Sequence, residues 1–221
     1  MSKACIWIAG FLVLITVRSA TAEISWYLGA GGAITSLESA DFSDTSGLDS
    51  VPNAVVTISQ EFDGGPFGWR IFAGVNFSEN FGLTLKYSNS GNYEDDWLVF
   101  TRTDDDMDPM TPPVGTNYFL IGESSFDGYT VYAAPTIPLG ERLAFTVQLG
   151  WTSQEIDFSW NSVGNSGSIS RSDSGFACGA LLRYKFLSHW AVSTEFEWLL
   201  IDFDNLINLP ISFGINLEYH F

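Results

Sequence analysis

Residues 211–221 read ISFGINLEYHF and alternate without a break between an apolar set and a polar or small set. Successive side chains of a strand point to opposite sides. Ile211, Phe213, Ile215, Leu217, Tyr219 and Phe221 therefore share one face, and Ser212, Gly214, Asn216, Glu218 and His220 share the other. Such a strand needs an apolar medium on one side and a polar one on the other.

The opposite end of the chain indicates which medium that is. Residues 1–22 carry Lys3, then the apolar run ACIWIAGFLVLITV, then Ala20-Thr21-Ala22. A basic start, a short apolar core and a small-x-small ending are the marks of a cleaved secretory signal. The run falls short of the roughly 20 residues of a membrane-spanning helix. Residues 1–22 are accordingly excluded from the fold and 23–221 read as one domain. Cys5 lies at the start of the apolar run instead of following it, so it is not read as a lipidation site. The exported part keeps only Cys178, which allows no intrachain disulfide.

The chain has a formal net charge of −17. Loss of Lys3 and Arg18 makes the exported part more acidic still, which argues against nucleic acid as a partner. After the signal no stretch of roughly 18 apolar residues occurs, which excludes a helical membrane protein. Yet 46% of the chain is hydrophobic, with 8 Trp, 8 Tyr and 18 Phe. That apolar content has to lie in short alternating segments.

A period of two recurs along the chain. The first strand is predicted near 25–34, with Trp26, Leu28 and Ala30 on the apolar face. The second (69–77) turns Trp69, Ile71, Ala73, Val75 and Phe77 outward and the third (81–87) Phe81, Leu83, Leu85 and Tyr87. Only Ser78-Glu79-Asn80 lies between them. The fourth ends near 128–134 with Tyr129, Val131 and Ala133 outward, and starts as early as Tyr118. The fifth runs from Arg142 to about Trp151. Ile156, Phe158 and Trp160 then alternate in the opposite phase, predicting a bulge near Gln154. The sixth (176–186) places Cys178 outward as a small lipid-facing residue, the seventh runs from Trp190 to about Phe203, and the terminal strand is the eighth.

Long or polar connections (35–68, 89–117, 161–175, 204–210) alternate with short ones (78–80, 135–141, 187–189). Aromatic residues gather near strand ends. Eight strands, alternating loop lengths and aromatic belts predict an eight-stranded antiparallel up-and-down transmembrane β-barrel with long extracellular loops and short periplasmic turns.

SWYLGAGGAI (25–34), GWRIFAGVNFSENFGLTLKYS (68–88) and ISFGINLEYHF (211–221) resemble the OmpA-like and opacity-type family of small outer-membrane barrels. The resemblance implies residence in a Gram-negative type outer membrane among its lipid and lipopolysaccharide. It also implies that Phe221, with Tyr219 and Leu217, is the signal read by the barrel-assembly machinery. Nothing follows the barrel in this sequence, so no peptidoglycan-binding domain is inferred.

An enzyme needs placed acid, base or nucleophile groups. His189 falls in a short turn and His220 at the penultimate position, so the first reads as a turn residue and the second as a polar lumen residue. The stretch Tyr87-Ser88-Asn89-Ser90-Gly91 is similar to the one that follows the catalytic histidine of lipid A deacylase barrels. Here Lys86 stands in that histidine's place, and without a general base a serine is not activated. No catalytic residue, metal site or cofactor is expected.

Two charged constellations remain. Arg70, Lys86, Arg142, Arg183 and Lys185 share the inward phase with Glu195, Glu197 and Glu218, and the strand order suggests Arg183 and Lys185 as partners of Glu195 and Glu197. Because eight strands enclose an interior about wide enough for side chains, these charges predict a polar plug in preference to a pore. The second constellation is the acidic loops, with Asp104, Asp105, Asp106 and Asp108 as the densest cluster. They lack the spacing of a Ca²⁺ loop, and a solvated acidic surface is the plainer reading. Val55, Val56, Ile58, Trp97, Leu98, Val99 and Phe100 extend the barrel above the membrane.

The leading expectation is a non-enzymatic barrel acting in surface interaction, with a host or surface ligand met by its loops, or in membrane integrity. A small porin-like channel is the alternative and predicts single-channel conductance. A lipid A-modifying enzyme is third and predicts an altered lipid A mass spectrum on overproduction.

Overall fold

The structure, a computed structural model, describes residues 24–36, 40–44, 54–60, 67–103, 116–162, 165–201 and 210–221. Ten strands follow in order: β1 (Ser25–Ser36), β2 (Ala40–Asp44), β3 (Ala54–Gln60), β4 (Phe67–Ser78), β5 (Phe81–Thr103), β6 (Thr116–Pro138), β7 (Leu143–Ser162), β8 (Asn165–Lys185), β9 (Trp190–Leu200) and β10 (Ile211–His220). They occupy eight staves. β4 meets β5 between Phe81 and Asn89, and β3 meets it between Leu98 and Thr103, while β6 covers its other edge throughout. β3 thus continues the lane of β4, and β2 pairs alongside β3. Every neighbouring pair is antiparallel, and β1 joins β10 from Tyr27↔His220 to Ser36↔Ile211. The result is a closed eight-stranded antiparallel barrel, and closure leaves no free edge in its body.

The faces follow from the alternation. Ile71, Leu85, Val131 and Ile215 each keep about half of their surface exposed on the outside. A continuous apolar exterior of this kind would be unstable in water and marks a lipid-facing band. Aromatic side chains bound it. Tyr87 lies 4.8 Å from Tyr129 and 5.5 Å from Trp69, and Trp151 lies 5.1 Å from Phe176, all centroid distances. At the short-turn end Tyr219 packs against Trp190 and Phe221 at 5.0 and 5.1 Å. Cys178 is half-buried on the outer face.

Above the upper belt the pattern inverts. Phe126, Ile156, Leu199 and Ile201 are buried inside, while Glu155 and Asp157 are exposed outside. The expected bulge near Gln154 is therefore absent: β7 and β8 stay in one register from Leu143↔Tyr184 to Ser162↔Asn165. Beyond the lipid the outside is water, so an apolar residue is better buried inside, and no phase change is needed. The Gly- and Ser-rich run 161–175, expected as a loop, is largely strand for the related reason that β7 supplies its ladder and polar residues suit its wet outer face. Where β5 pairs with β6, a register shift falls between Asn89 and Asn92. Gly91 has φ 80° there, a left-handed conformation open to glycine. Its N–H donates to Asn89 Oδ1 at 2.9 Å, and Ser90 Oγ donates to the Phe126 carbonyl at 3.0 Å. The YSNSG stretch is thus the bulge itself. β9 ends at Leu200, short of the expected Phe203. The expected signal at residues 1–22 and Asp104, Asp105, Asp106 and Asp108 lie outside the described residues.

Candidate functional site

The lumen is the one place where charge is gathered in the barrel body among the described residues. Inward phase brings Arg70 from β4, Lys86 from β5, Tyr132 from β6, Glu195 and Glu197 from β9 and Asn216 from β10 to one level. Glu195 is the centre: its Oε2 is 2.9 Å from Arg70 Nη1 and its Oε1 is 2.9 Å from Lys86 Nζ. Lys86 also reaches Glu197 at 2.6 Å and lies 4.8 Å from the centre of the Tyr132 ring. Tyr132 donates its hydroxyl proton to Glu197. Arg70 Nε donates to Asn216 Oδ1 at 2.7 Å, and Asn216 Nδ2 donates to Glu195 at 3.3 Å. Two cations meet two carboxylates, each of the four no more than 3% exposed.

Small residues make this fit. A Cβ at Gly214 would collide with the Arg70 guanidinium, and one at Gly74 with the Tyr27 ring. The terminal strand's glycine is thus the space that Arg70 occupies.

A second layer lies nearer the short turns. Glu218 takes Arg183 Nε at 2.6 Å and the Ser193 hydroxyl at 2.6 Å, with His220 Nε2 at 3.2 Å. Tyr27 stacks on His220 at 5.4 Å, and its hydroxyl shares a 2.5 Å hydrogen bond with Thr84. Between the layers, beside Gln148 and Leu181, lies a void of about 10 Å³. One water needs roughly 10–15 Å³, so at this level the lumen has no room for a solute.

The expected inward charges are thus divided among three places. Arg70, Lys86, Glu195 and Glu197 form the central cluster, and Arg183 and Glu218 the lower pair. Arg142 and Lys185 stand exposed at the short-turn mouth. The pairing suggested from strand order is corrected: Arg183 binds Glu218, and Glu195 and Glu197 are held from across the barrel by Arg70 and Lys86. Lys185 pairs with neither. Strand phase tells which face a residue takes, but side chains in a narrow barrel reach over the lumen to the far wall. Tyr132 and Asn216 were not singled out from the sequence, although each holds the inward phase on its strand. His189, expected as a turn residue, is exposed, with Nδ1 2.8 Å from the His220 carbonyl oxygen.

An apolar outer band between aromatic belts, a closed strand order and a polar packed interior define a transmembrane β-barrel. The sequence matches the family described as outer membrane protein beta-barrel domain over residues 8–221, and the chain belongs to that family. No curated protein matches it. Among solved structures it resembles Ail of Yersinia pestis, in complex with the heparin analogue sucrose octasulfate, with a TM-score of 0.51 and 16% identity over 90% of this chain and 99% of that one. It also resembles OprG of Pseudomonas aeruginosa, with a TM-score of 0.52 and 13% identity over 90% and 97% of the two chains. At such identities the likeness is one of fold. The protein is an outer-membrane barrel of the Gram-negative type, and its short turns take the periplasmic side in this architecture.

Proposed function

We propose that the protein is a non-enzymatic outer-membrane barrel whose body is sealed by its own side chains and whose extracellular segments act in surface interaction or membrane integrity. The observation that carries this reading is the packed, charge-balanced middle of the lumen, which closes the route through the barrel and leaves its two ends to meet partners. The YSNSG stretch supports it too, because its serine and glycine build a bulge and Lys86 is engaged with two carboxylates.

Ail was solved with a polyanion. This chain is instead strongly acidic, and Asp104, Asp105, Asp106 and Asp108 sit on its second long connection. Like charges repel, so a basic partner surface, or one bridged by divalent cations, suits these segments better than a sulfated polysaccharide. The surrounding lipid and lipopolysaccharide are the permanent neighbours, and the barrel-assembly machinery reading Phe221, Tyr219 and Leu217 is the transient one.

Replacing residues 37–66 and 104–115 by short Gly-Ser connectors tests this. Cells carrying the shortened barrel are expected either to lose attachment to cultured epithelial cells or to admit a hydrophobic dye that intact cells exclude, while the barrel still assembles. Unchanged attachment together with an unchanged dye barrier would remove both versions.

A further inference from the structure

We propose that the periplasmic mouth of the barrel is a binding site for a small phosphate-type anion. A cavity of about 690 Å³ opens there, with Arg142, Arg183 and Lys185 on its β7–β8 wall. The chain is poor in cations, nine Lys and Arg against 26 acidic residues, yet three of the nine line this one cavity. Ala144 pairs with Arg183, and the Lys185 N–H donates to the Arg142 carbonyl at 2.7 Å. Arg142 and Lys185 therefore face each other one step farther out along the same ladder, in the same inward phase.

Like charges directly opposite on a sheet face are unfavourable. Deeper in the lumen Arg70, Lys86 and Arg183 each have a carboxylate partner. Arg142 and Lys185 have no ion pair among the described residues. An anion seated between them would relieve the repulsion and gain charge-assisted hydrogen bonds. A divalent oxyanion neutralises both cations at once, which a single carboxylate does not. Glu79 and Glu141 also line the cavity, so its field favours a compact anion over a long polyanion.

The shared chemistry has two sources, a free phosphate in the periplasm and the phosphomonoester headgroup of a lipid. Titration calorimetry on the full barrel in dodecyl maltoside, a phosphate-free detergent, separates them with inorganic phosphate in one arm and glycerol 3-phosphate in the other. Binding of the first supports the site with a free ligand, and binding of the second alone supports it with a headgroup. The exposed positions Arg142→Gln and Lys185→Gln, combined, are expected to weaken whichever probe binds by about tenfold or more, as loss of two charge-assisted contacts implies. Glu79→Gln with Glu141→Gln is expected to tighten it. Wild-type protein that binds neither probe, or a double Arg142 and Lys185 variant of unchanged affinity with a normal barrel circular dichroism spectrum, would overturn the proposal.

Discussion

Glu195→Gln is expected to destabilise the barrel by about 3–5 kcal/mol, the range for breaking a buried ion pair from one side. The substitution keeps the side chain's shape but leaves Arg70 and Lys86 with Glu197 as the only nearby carboxylate of the cluster. Arg70 is hit hardest: beyond Glu195 it has the Nε bond to Asn216, and its Nη2 has no hydrogen bond. Charge balance, and not the single contact, is the source of the cost. Combining Glu195→Gln with Lys86→Met leaves one charge of each sign, so the pair should be less destabilised than the two single variants added together. Coupling of about 1–3 kcal/mol is expected for residues in one network. Reversible urea unfolding in lipid vesicles reads both quantities. A cost below about 1 kcal/mol for Glu195→Gln, the scale of a neutral hydrogen bond, would mean that water reaches the cluster.

Deleting Phe221 is expected to have opposite consequences in the cell and in the test tube. Its side chain is 65% exposed at the periplasmic rim, packed edge-on against Tyr219, and its N–H donates to the Trp26 carbonyl at 2.9 Å. Losing one half-exposed terminal contact and one hydrogen bond should cost no more than about 1.5 kcal/mol, so the purified variant refolds into vesicles. In cells most of the protein should fail to reach the outer membrane, because Phe221, Tyr219 and Leu217 are proposed as the elements the assembly machinery reads. Comparison of membrane fractions with the refolding yield separates the roles. Normal membrane levels of the variant would show that the terminal phenylalanine is only a rim residue.

The architecture is legible because membrane and lumen impose opposite demands on alternate residues. ISFGINLEYHF states its two faces outright, and its glycine leaves the space for Arg70. What phase does not convey is height. Lys86 and Glu195 are 109 residues apart and meet because the sheet closes. The same limit made strand order suggest Arg183 for Glu195, when Arg183 lies a layer lower beside Glu218. The error at Ile156 came from equating apolar with lipid-facing, a rule that ends at the upper aromatic belt. Tyr132 was hidden because it sits between Val131 and Ala133, where its hydroxyl partner is on the far wall.

A sealed lumen carries no ionic current, which planar-bilayer recording reads out. Purified barrel inserted at neutral pH in molar salt is expected to give no conductance steps above background. The lower and central layers leave a void of about 10 Å³ between them, and ions need a continuous wet path. Reproducible discrete steps, growing when Glu195 and Glu197 are neutralised, would contradict the sealed barrel and establish the channel reading in its place.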